Sequence, residues 1–506
     1  MRNEPQSMPD ILLAAINAKW IHPSLALRLL KANLGPLENR CQIIEFALRQ
    51  PVAEKTAPII AAQPRLLGLS VSIWNHTATL ELLRELWNMW QGPEGGGRPI
   101  VVLGGPEVSF LPPEAEIFCY ADYCIQGEGE TAFRELCGSL FVNDIKNDVN
   151  AAFPLPDSSQ PAQIRFVNGE FAQVNTNEIY SGYRLYTDGD LRNKLVYVEA
   201  SRGCPFSCEF CLGPAQGLRQ GNAVREFPLD RFLADMDDLL CRGAGVRQPN
   251  QKPLTFKFLD RSFNLNIERS RQIMEFFLDR ITALPRPVVV HFEMVPSRFP
   301  PELFETLSRF PPGTLRLETG IQTLNPRVSA RIGRPSSPDR ELETLRLLRE
   351  KTSAIIHADL IAGLPGEDME SFGRGFERLW EALSAPGGSA EIQLGILKLL
   401  PGASIARHSE AFGMRYNPLP PYDVMETAAI PACDMERIKH FARFWELIVN
   451  RGLLPFDAFR GPTPLFGRFM ALSDSLVAHF GRSWGIDKKK LCVILDEKAL
   501  SGNLIT

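Results

Sequence analysis

Three cysteines stand close together in Ser201-Arg-Gly-Cys204-Pro-Phe-Ser-Cys208-Glu-Phe-Cys211. Their spacing lets one short loop wrap three thiolates around a single centre. Three thiolates can ligate three irons of a four-iron cluster, whereas a complete protein set is four. The fourth iron then stays open to a substrate or cofactor. A zinc knuckle needs a fourth ligand, and no neighbouring His or Cys supplies one; the next cysteine is Cys241. Three unrelated buried thiols are the blander alternative, and their place in a loop argues against it. The other seven cysteines are scattered through 506 residues, too sparse for a disulfide scaffold.

The loop follows a strand pattern at 195–200, the first of a second alternating series. Further strand patterns lie at 255–259, 288–293, 315–318, 355–359 and 392–397, with helix patterns such as 267–278 and 342–349 between them. Six such units predict an open or partial (β/α) barrel, whose chemistry sits in the loops after the strands. Those loops are polar: Asp260-Arg261-Ser-Phe-Asn264, Glu293, Glu318-Thr-Gly-Ile-Gln322, and Asp359 followed by Gly363-Leu-Pro365-Gly366.

An earlier series has strand patterns at 11–16, 42–46, 66–72, 100–103 and 123–126, with helix patterns at 25–34 and 79–89. This alternation predicts a doubly wound parallel sheet, with ligands at the C-terminal ends of its strands. Between the two series the pattern dissolves. Residues 150–163 read as a linker, and 164–174 as a hairpin turning at Asn168-Gly169. The α/β chain thus divides into 1–140, a doubly wound domain; 141–193, a linker with a hairpin; 194–400, the partial barrel; and 401–506, mostly helical and without an obvious chemical cluster.

Net charge is −4 and the pI near 6.1, which argues against a duplex nucleic-acid partner. Hydrophobic and charged shares of 44% and 23% are ordinary globular values and exclude a disordered or fibrous chain. No apolar run reaches the roughly 18 residues of a membrane span, and the N-terminus lacks a signal-peptide stretch. A soluble cytoplasmic protein with no membrane partner is expected.

The cysteine spacing, with Phe210 as the aromatic before the third cysteine, resembles the signature of the radical S-adenosylmethionine (SAM) superfamily. A doubly wound domain ahead of the barrel resembles its cobalamin-binding subfamily. The resemblance covers about residues 10–135 and 195–400. It implies a [4Fe-4S] cluster on Cys204, Cys208 and Cys211, with SAM chelated at the open iron by its amino and carboxylate groups. One electron would cleave SAM to methionine and a 5′-deoxyadenosyl radical that takes a hydrogen atom from the substrate. Ser70 and Ser72 after the third strand, and Gly104 and Gly105 after the fourth, would admit the cobalamin nucleotide tail. The stretch Gly127-Glu128-Gly-Glu130 is typical of the subfamily, and Glu128 is its cofactor-side candidate.

For SAM the resemblance points to Glu293, Glu318, Gln322, Gly363, Pro365 and Arg334, whose guanidinium fork suits a carboxylate. Asp260 and Arg261 are candidates for SAM or substrate contacts, or for pairing with each other. Tyr197 and Lys398 are weaker candidates. Glu293 could equally be a solvated strand-end acid, Arg334 a helix-surface residue and 363–366 a plain turn. One departure concerns cobalt. Where related domains carry Asp-x-His-x-x-Gly, this chain reads Asn17-Ala-Lys19-Trp20-Ile-His22. Neither His22 nor His76, in the loop after the third strand, is therefore expected to bind the metal.

The activity implied is radical methylation of an unactivated carbon or phosphorus. Cobalamin-assisted rearrangement, ring formation or ring contraction is the alternative with the same cofactors. A zinc-stabilised binding module is the alternative of another class. The partners implied are a small-molecule or peptide substrate and an electron donor such as flavodoxin or ferredoxin.

Overall fold

The computed structural model describes residues 8–91, 97–142, 164–167, 173–213, 223–244, 251–334, 336–387, 389–456 and 458–500. The first sheet has six strands: β1 (Ile11–Asn17), β2 (Cys41–Ala47), β3 (Leu66–Ser70), β4 (Ile100–Gly104), β5 (Tyr123–Ile125) and β6 (Arg165–Val167). They are all parallel, in the order β2-β1-β3-β4-β5-β6. A parallel strand covered on both faces needs a continuous apolar run rather than an alternation. Along β1, Leu12, Ala14 and Ile16 enter one core, and Ile11, Leu13 and Ala15 enter the core on the opposite face. From β1 the chain runs outward to β2 on one side and through β3 to β4 on the other. That reversal is a topological switch point, which opens a crevice at the C-terminal ends of β1 and β3.

Arg165–Val167, the first arm of the expected hairpin, pairs parallel with β5 and forms the edge of this sheet. The Asn168-Gly169 turn and the linker 150–163 lie outside the described residues. Further on, 173–193 is more ordered than its sequence pattern announced. Helix Asp188–Asn193 starts with a capping box between Thr187 and Asp190. Asp190 also takes an ion pair from the buried Arg28, 3.0 Å away, while Arg28 holds Glu45 at 3.1 Å.

The second sheet contains β7 (Val196–Val198), β10 (Leu254–Phe258), β11 (Val288–Met294), β12 (Leu315–Gln322), β13 (Ile355–Ala362) and β14 (Ser389–Ile396). Its order is β14-β13-β12-β11-β10-β7, the open six-unit barrel expected from the alternation. Two short strands, β8 (Ser201–Arg202) and β9 (Arg225–Glu226), form an antiparallel pair. By contacts the chain falls into two compact units. One is Met1–Arg202, Ala215–Lys257 and Leu400–Gly402; the other is Gly203–Pro214, Phe258–Leu399 and Ala403–Thr506. In the second unit, helices Ala432–Trp445 and Leu465–Phe480 pack on the barrel helix Met369–Leu383 through aromatic contacts. Phe376 meets Phe441 and Trp445 edge-on at 5.2 and 4.9 Å between ring centroids.

Candidate functional site

The three cysteines share one open cavity with Phe206, Phe210, Arg261, Ser262, Glu293, Glu318, Gln322, Arg334 and Asp359. Each sulfur faces a polar group from another barrel loop. Cys204 Sγ is 3.9 Å from Ser262 Oγ, Cys208 Sγ is 3.8 Å from Arg334 Nη1, and Cys211 Sγ is 3.7 Å from Arg261 Nη1. The Gly213 N–H also donates to Cys211 Sγ at 3.4 Å. Burial pushes the Cys208 thiol up, against the pull of Arg334. A guanidinium beside a buried sulfur favours its thiolate, the form that binds metal.

Backbone geometry explains how Arg334 reaches its place. The register of β12 shifts between Gly320 and Gln322, and Gln322 takes a φ of 68°, an uncommon value for a residue with a side chain. A Cβ on Gly320 would crowd only the amide end of the Gln322 side chain, which can swing away. The Gly320 carbonyl accepts from Arg334 Nη2. Residues 331–334 in turn lie on the cysteine loop. The Glu209 N–H donates to the Ile332 carbonyl at 3.0 Å, and Ser207 Oγ donates to the Gly333 carbonyl at 3.3 Å.

Below the cavity mouth the strands present an unusual face. Val288, Val290, Phe292 and Met294 of β11 are buried, while His291 and Glu293 alternate with them. The neighbouring strands continue the alternation with Arg316 and Glu318, then His357 and Asp359, then Glu391 and Gln393. His291 pairs with Glu318 at 3.0 Å, and His357 lies 3.2 Å from Asp359 and 3.0 Å from Glu391. Where a closed barrel packs branched apolar layers, this open one carries a charged ladder. The sequence signal for it is a pair of polar residues two positions apart in each strand: His291 and Glu293, Arg316 and Glu318, His357 and Asp359.

Burial alone would lower the His357 imidazole, but hydrogen bonds to Asp359 and Glu391 outweigh it and raise it to about 10. Since that value lies above the ordinary 6.5, the stabilisation is whole below about pH 6.5 and is lost as pH rises towards 10. The urea midpoint of the wild type is therefore expected to fall between about pH 7 and pH 10 by more than that of His357→Gln. Equal falls in the two proteins would show that the charged imidazole is not held.

Other candidates are not part of the cavity lining. Asp260 is buried and does not line it, while Asn264 bonds the backbone of Val295 and Arg298. Gly363 packs against Val424, and the Pro365 carbonyl accepts from Arg331. Lys398 bridges to Asp423 through its backbone. In the first unit, Tyr197 OH lies 2.7 Å from His22 Nδ1, and His76 Nδ1 lies 2.8 Å from Glu107. Glu128 is taken up by Arg225, at 2.9 Å, and by the Val174 N–H, at 2.8 Å. Burial would raise its carboxyl, but Arg225 and Arg202 outweigh burial and hold it below the usual range.

Ser70, Ser72, Gly104 and Gly105 gather at the C-terminal edge of the first sheet. Asn75, which sequence reasoning passed over, ties that edge together. Its Nδ2 donates to the carbonyls of Ile16 and Ser70, at 2.9 and 3.1 Å, and its Oδ1 accepts from the Ser72 N–H at 2.7 Å.

Residues 11–137 match the family model of the B12 binding domain, and residues 198–379 match that of the radical SAM superfamily. The chain thus carries a B12 binding domain followed by a radical SAM domain. The radical SAM domain implies a [4Fe-4S] cluster and SAM, and the B12 binding domain implies cobalamin. Among its relatives is the 2-(S-pantetheinyl)-carbapenam-3-carboxylate methyltransferase of Streptantibioticus cattleyicolor, 24% identical over 74% of this chain and 53% of that protein. Another is the cobalamin-dependent radical SAM methyltransferase TokK of Streptomyces tokunonensis, 25% identical over 81% of this chain and 56% of that protein. The chain spans about half the length of these curated relatives.

Two solved structures share the fold. OxsB, a cobalamin-dependent SAM radical enzyme with aqua-cobalamin bound, superposes with a TM-score of 0.62 at 15% identity, over 98% of this chain and 76% of that one. The radical SAM methyltransferase TsrM of Kitasatospora setae gives 0.55 at 17% identity, over 81% and 79%.

The cavity fits a cluster ligated by three cysteines, since all three line one space and Cys208 and Cys211 each face a guanidinium. A single zinc ion needs four ligands around one point. Among the described residues no group of three or more His, Cys, Asp and Glu is gathered to hold one ion. Nor, among those residues, is any helix long and apolar enough to cross a membrane.

Proposed function

We propose that the chain is a methyltransferase acting on an unactivated carbon or phosphorus of a small-molecule or peptide substrate. The observation that carries this reading is the cavity in which Cys204, Cys208 and Cys211 meet Arg261, Arg334 and a wall of carboxylates. The two methyltransferases that align with most of the chain support it. When bound, the cluster supplies the electron that cleaves SAM, and cobalamin supplies a cobalt able to accept and release a methyl group.

In this reading the three cysteines hold the cluster. Arg334, already beside Cys208, is placed to meet the SAM carboxylate with a charge-assisted fork. Glu293 and Glu318 meet the hydrogen-bond donors of SAM, and Gln322 is aimed at it by the bulge in β12. Arg261 and Ser262 bound the cluster on its other side. Phe206 and Phe210 keep water from the space where a radical would form. In the first unit Ser70, Ser72 and Gly104 leave the strand ends open to the cobalamin tail. A reductase of the flavodoxin or ferredoxin kind delivers the electron.

The test uses anaerobic protein loaded with iron and cobalamin, a strong one-electron reductant and SAM deuterated in its methyl group. The corrinoid recovered afterwards is expected to carry the deuterated methyl. Formation of 5′-deoxyadenosine with no label on the corrinoid would overturn methyl transfer in favour of a rearrangement.

A further inference from the structure

The region after residue 400 shows no chemical cluster in its sequence, yet it reaches into the cysteine loop. Glu209 lies between Cys208 and Cys211 and is 8% exposed. Its carboxylate accepts from Arg407 Nε at 2.9 Å and from Arg407 Nη2, and it lies 2.9 Å from His408 Nε2. Its carbonyl accepts from the Ile405 N–H at 3.0 Å. All three partners belong to the short 3₁₀ helix Ser404–His408. That helix is itself braced, since the His408 ring stands edge-on to Phe412 at 5.9 Å and Arg331 lies 4.5 Å over the same Phe412 ring.

We propose that Glu209, Arg407 and His408 form a clamp that positions the cysteine loop and sets the charge beside the cluster. The inference rests on the reading of the three cysteines as cluster ligands. A carboxylate in the ligand loop, left alone, would disfavour an electron arriving on the cluster, because net charge and hydrogen bonding tune such potentials. Arg407 cancels that charge. A buried carboxylate that loses its cation is also costly, so the same pair fixes the path of the loop. Removal of either member leaves a charge of opposite sign, and the two losses have opposite effects on the potential. A clamp that served packing alone would give no such opposition.

The test compares full-length holoprotein with Arg407→Ala, Arg407→Lys, Glu209→Gln and the double variant Glu209→Gln/Arg407→Ala. Iron is measured per chain, and the cluster potential is found by redox titration followed by electron paramagnetic resonance. Arg407→Ala is expected to lower the reduced fraction at a fixed potential about tenfold, a shift of about 59 mV for one electron. Glu209→Gln is expected to raise that fraction. Arg407→Lys and the double variant are expected to lie near the wild type. If Arg407→Ala instead loses its iron, recovery of iron in the double variant supports the clamp.

Equal potentials in all five proteins would overturn it. So would shifts of one sign in Arg407→Ala and Glu209→Gln, or iron loss as deep in the double variant as in Arg407→Ala. A wild type that itself binds no four-iron cluster would overturn the ligand assignment, an outcome distinct from failure of the clamp.

Discussion

Protein with Cys204, Cys208 and Cys211 all changed to Ala is expected to lose its iron, from about four atoms per chain to near zero, and to form no 5′-deoxyadenosine from SAM. The loss should be complete because no other thiol can substitute. Cys41, Cys124 and Cys137 are buried in the two cores of the first sheet. Burial pushes the thiols of Cys41 and Cys124 up to about 12, and that of Cys137 higher still. Such thiols do not offer thiolates at neutral pH. Cys119, Cys241 and Cys433 are exposed, Cys492 is half-buried, and none of the four lines the cavity, so Cys241→Ser and Cys433→Ser are expected to keep all the iron. The measurement is iron and sulfide per chain in protein purified without oxygen. Iron retained by the triple variant, or about one zinc per chain in the wild type, would remove the cluster assignment.

Gly104→Leu is expected to lower cobalamin affinity at least tenfold while the domain stays folded and the cluster stays loaded. A Cβ at Gly104 meets only the Ile125 carbonyl, at an ordinary 3.8 Å, and its backbone is not left-handed. The fold therefore tolerates a side chain there, and the object it would obstruct is the nucleotide tail at the strand end.

Gly105 differs. Its φ is 111°, and a Cβ would lie 2.4 Å from the Val71 carbonyl. Gly105→Ala should destabilise the domain whether or not cobalamin is present, by roughly 1 kcal/mol or more. Glycine at 105 is thus accounted for by the backbone, and only Gly104 probes the cofactor. Corrinoid absorbance after loading, together with thermal unfolding of the cobalamin-free protein, separates the two effects. Wild-type cobalamin content in folded Gly104→Leu would withdraw the strand-end reading.

The cysteine motif and the two strand series were legible in the sequence because both are local. Ligand spacing within one loop and apolar runs within one strand report chemistry and burial with no knowledge of distant residues. The cavity drew together what those local patterns had marked separately: Phe210, Arg261, Glu293, Glu318, Gln322 and Arg334. Where a role depended on a partner far along the chain, the sequence was silent. Glu128 meets Arg225, which is 97 positions away, and Glu209 meets Arg407, which is 198 away. No periodicity encodes those separations.

The direction of Arg165–Val167 was equally hidden, since an Asn-Gly pair signals a turn but not which sheet its flanking strand joins. Gly104 and Gly105 look alike in the sequence, and only the path of Val71 beside them tells the two apart. The sequence by itself determined which chemistry the chain can carry, because thiolate spacing and strand-end polarity are properties of short segments. Only the tertiary structure decided which charges face that chemistry, because an ion pair is chosen by the packing of segments that approach each other after the chain has folded.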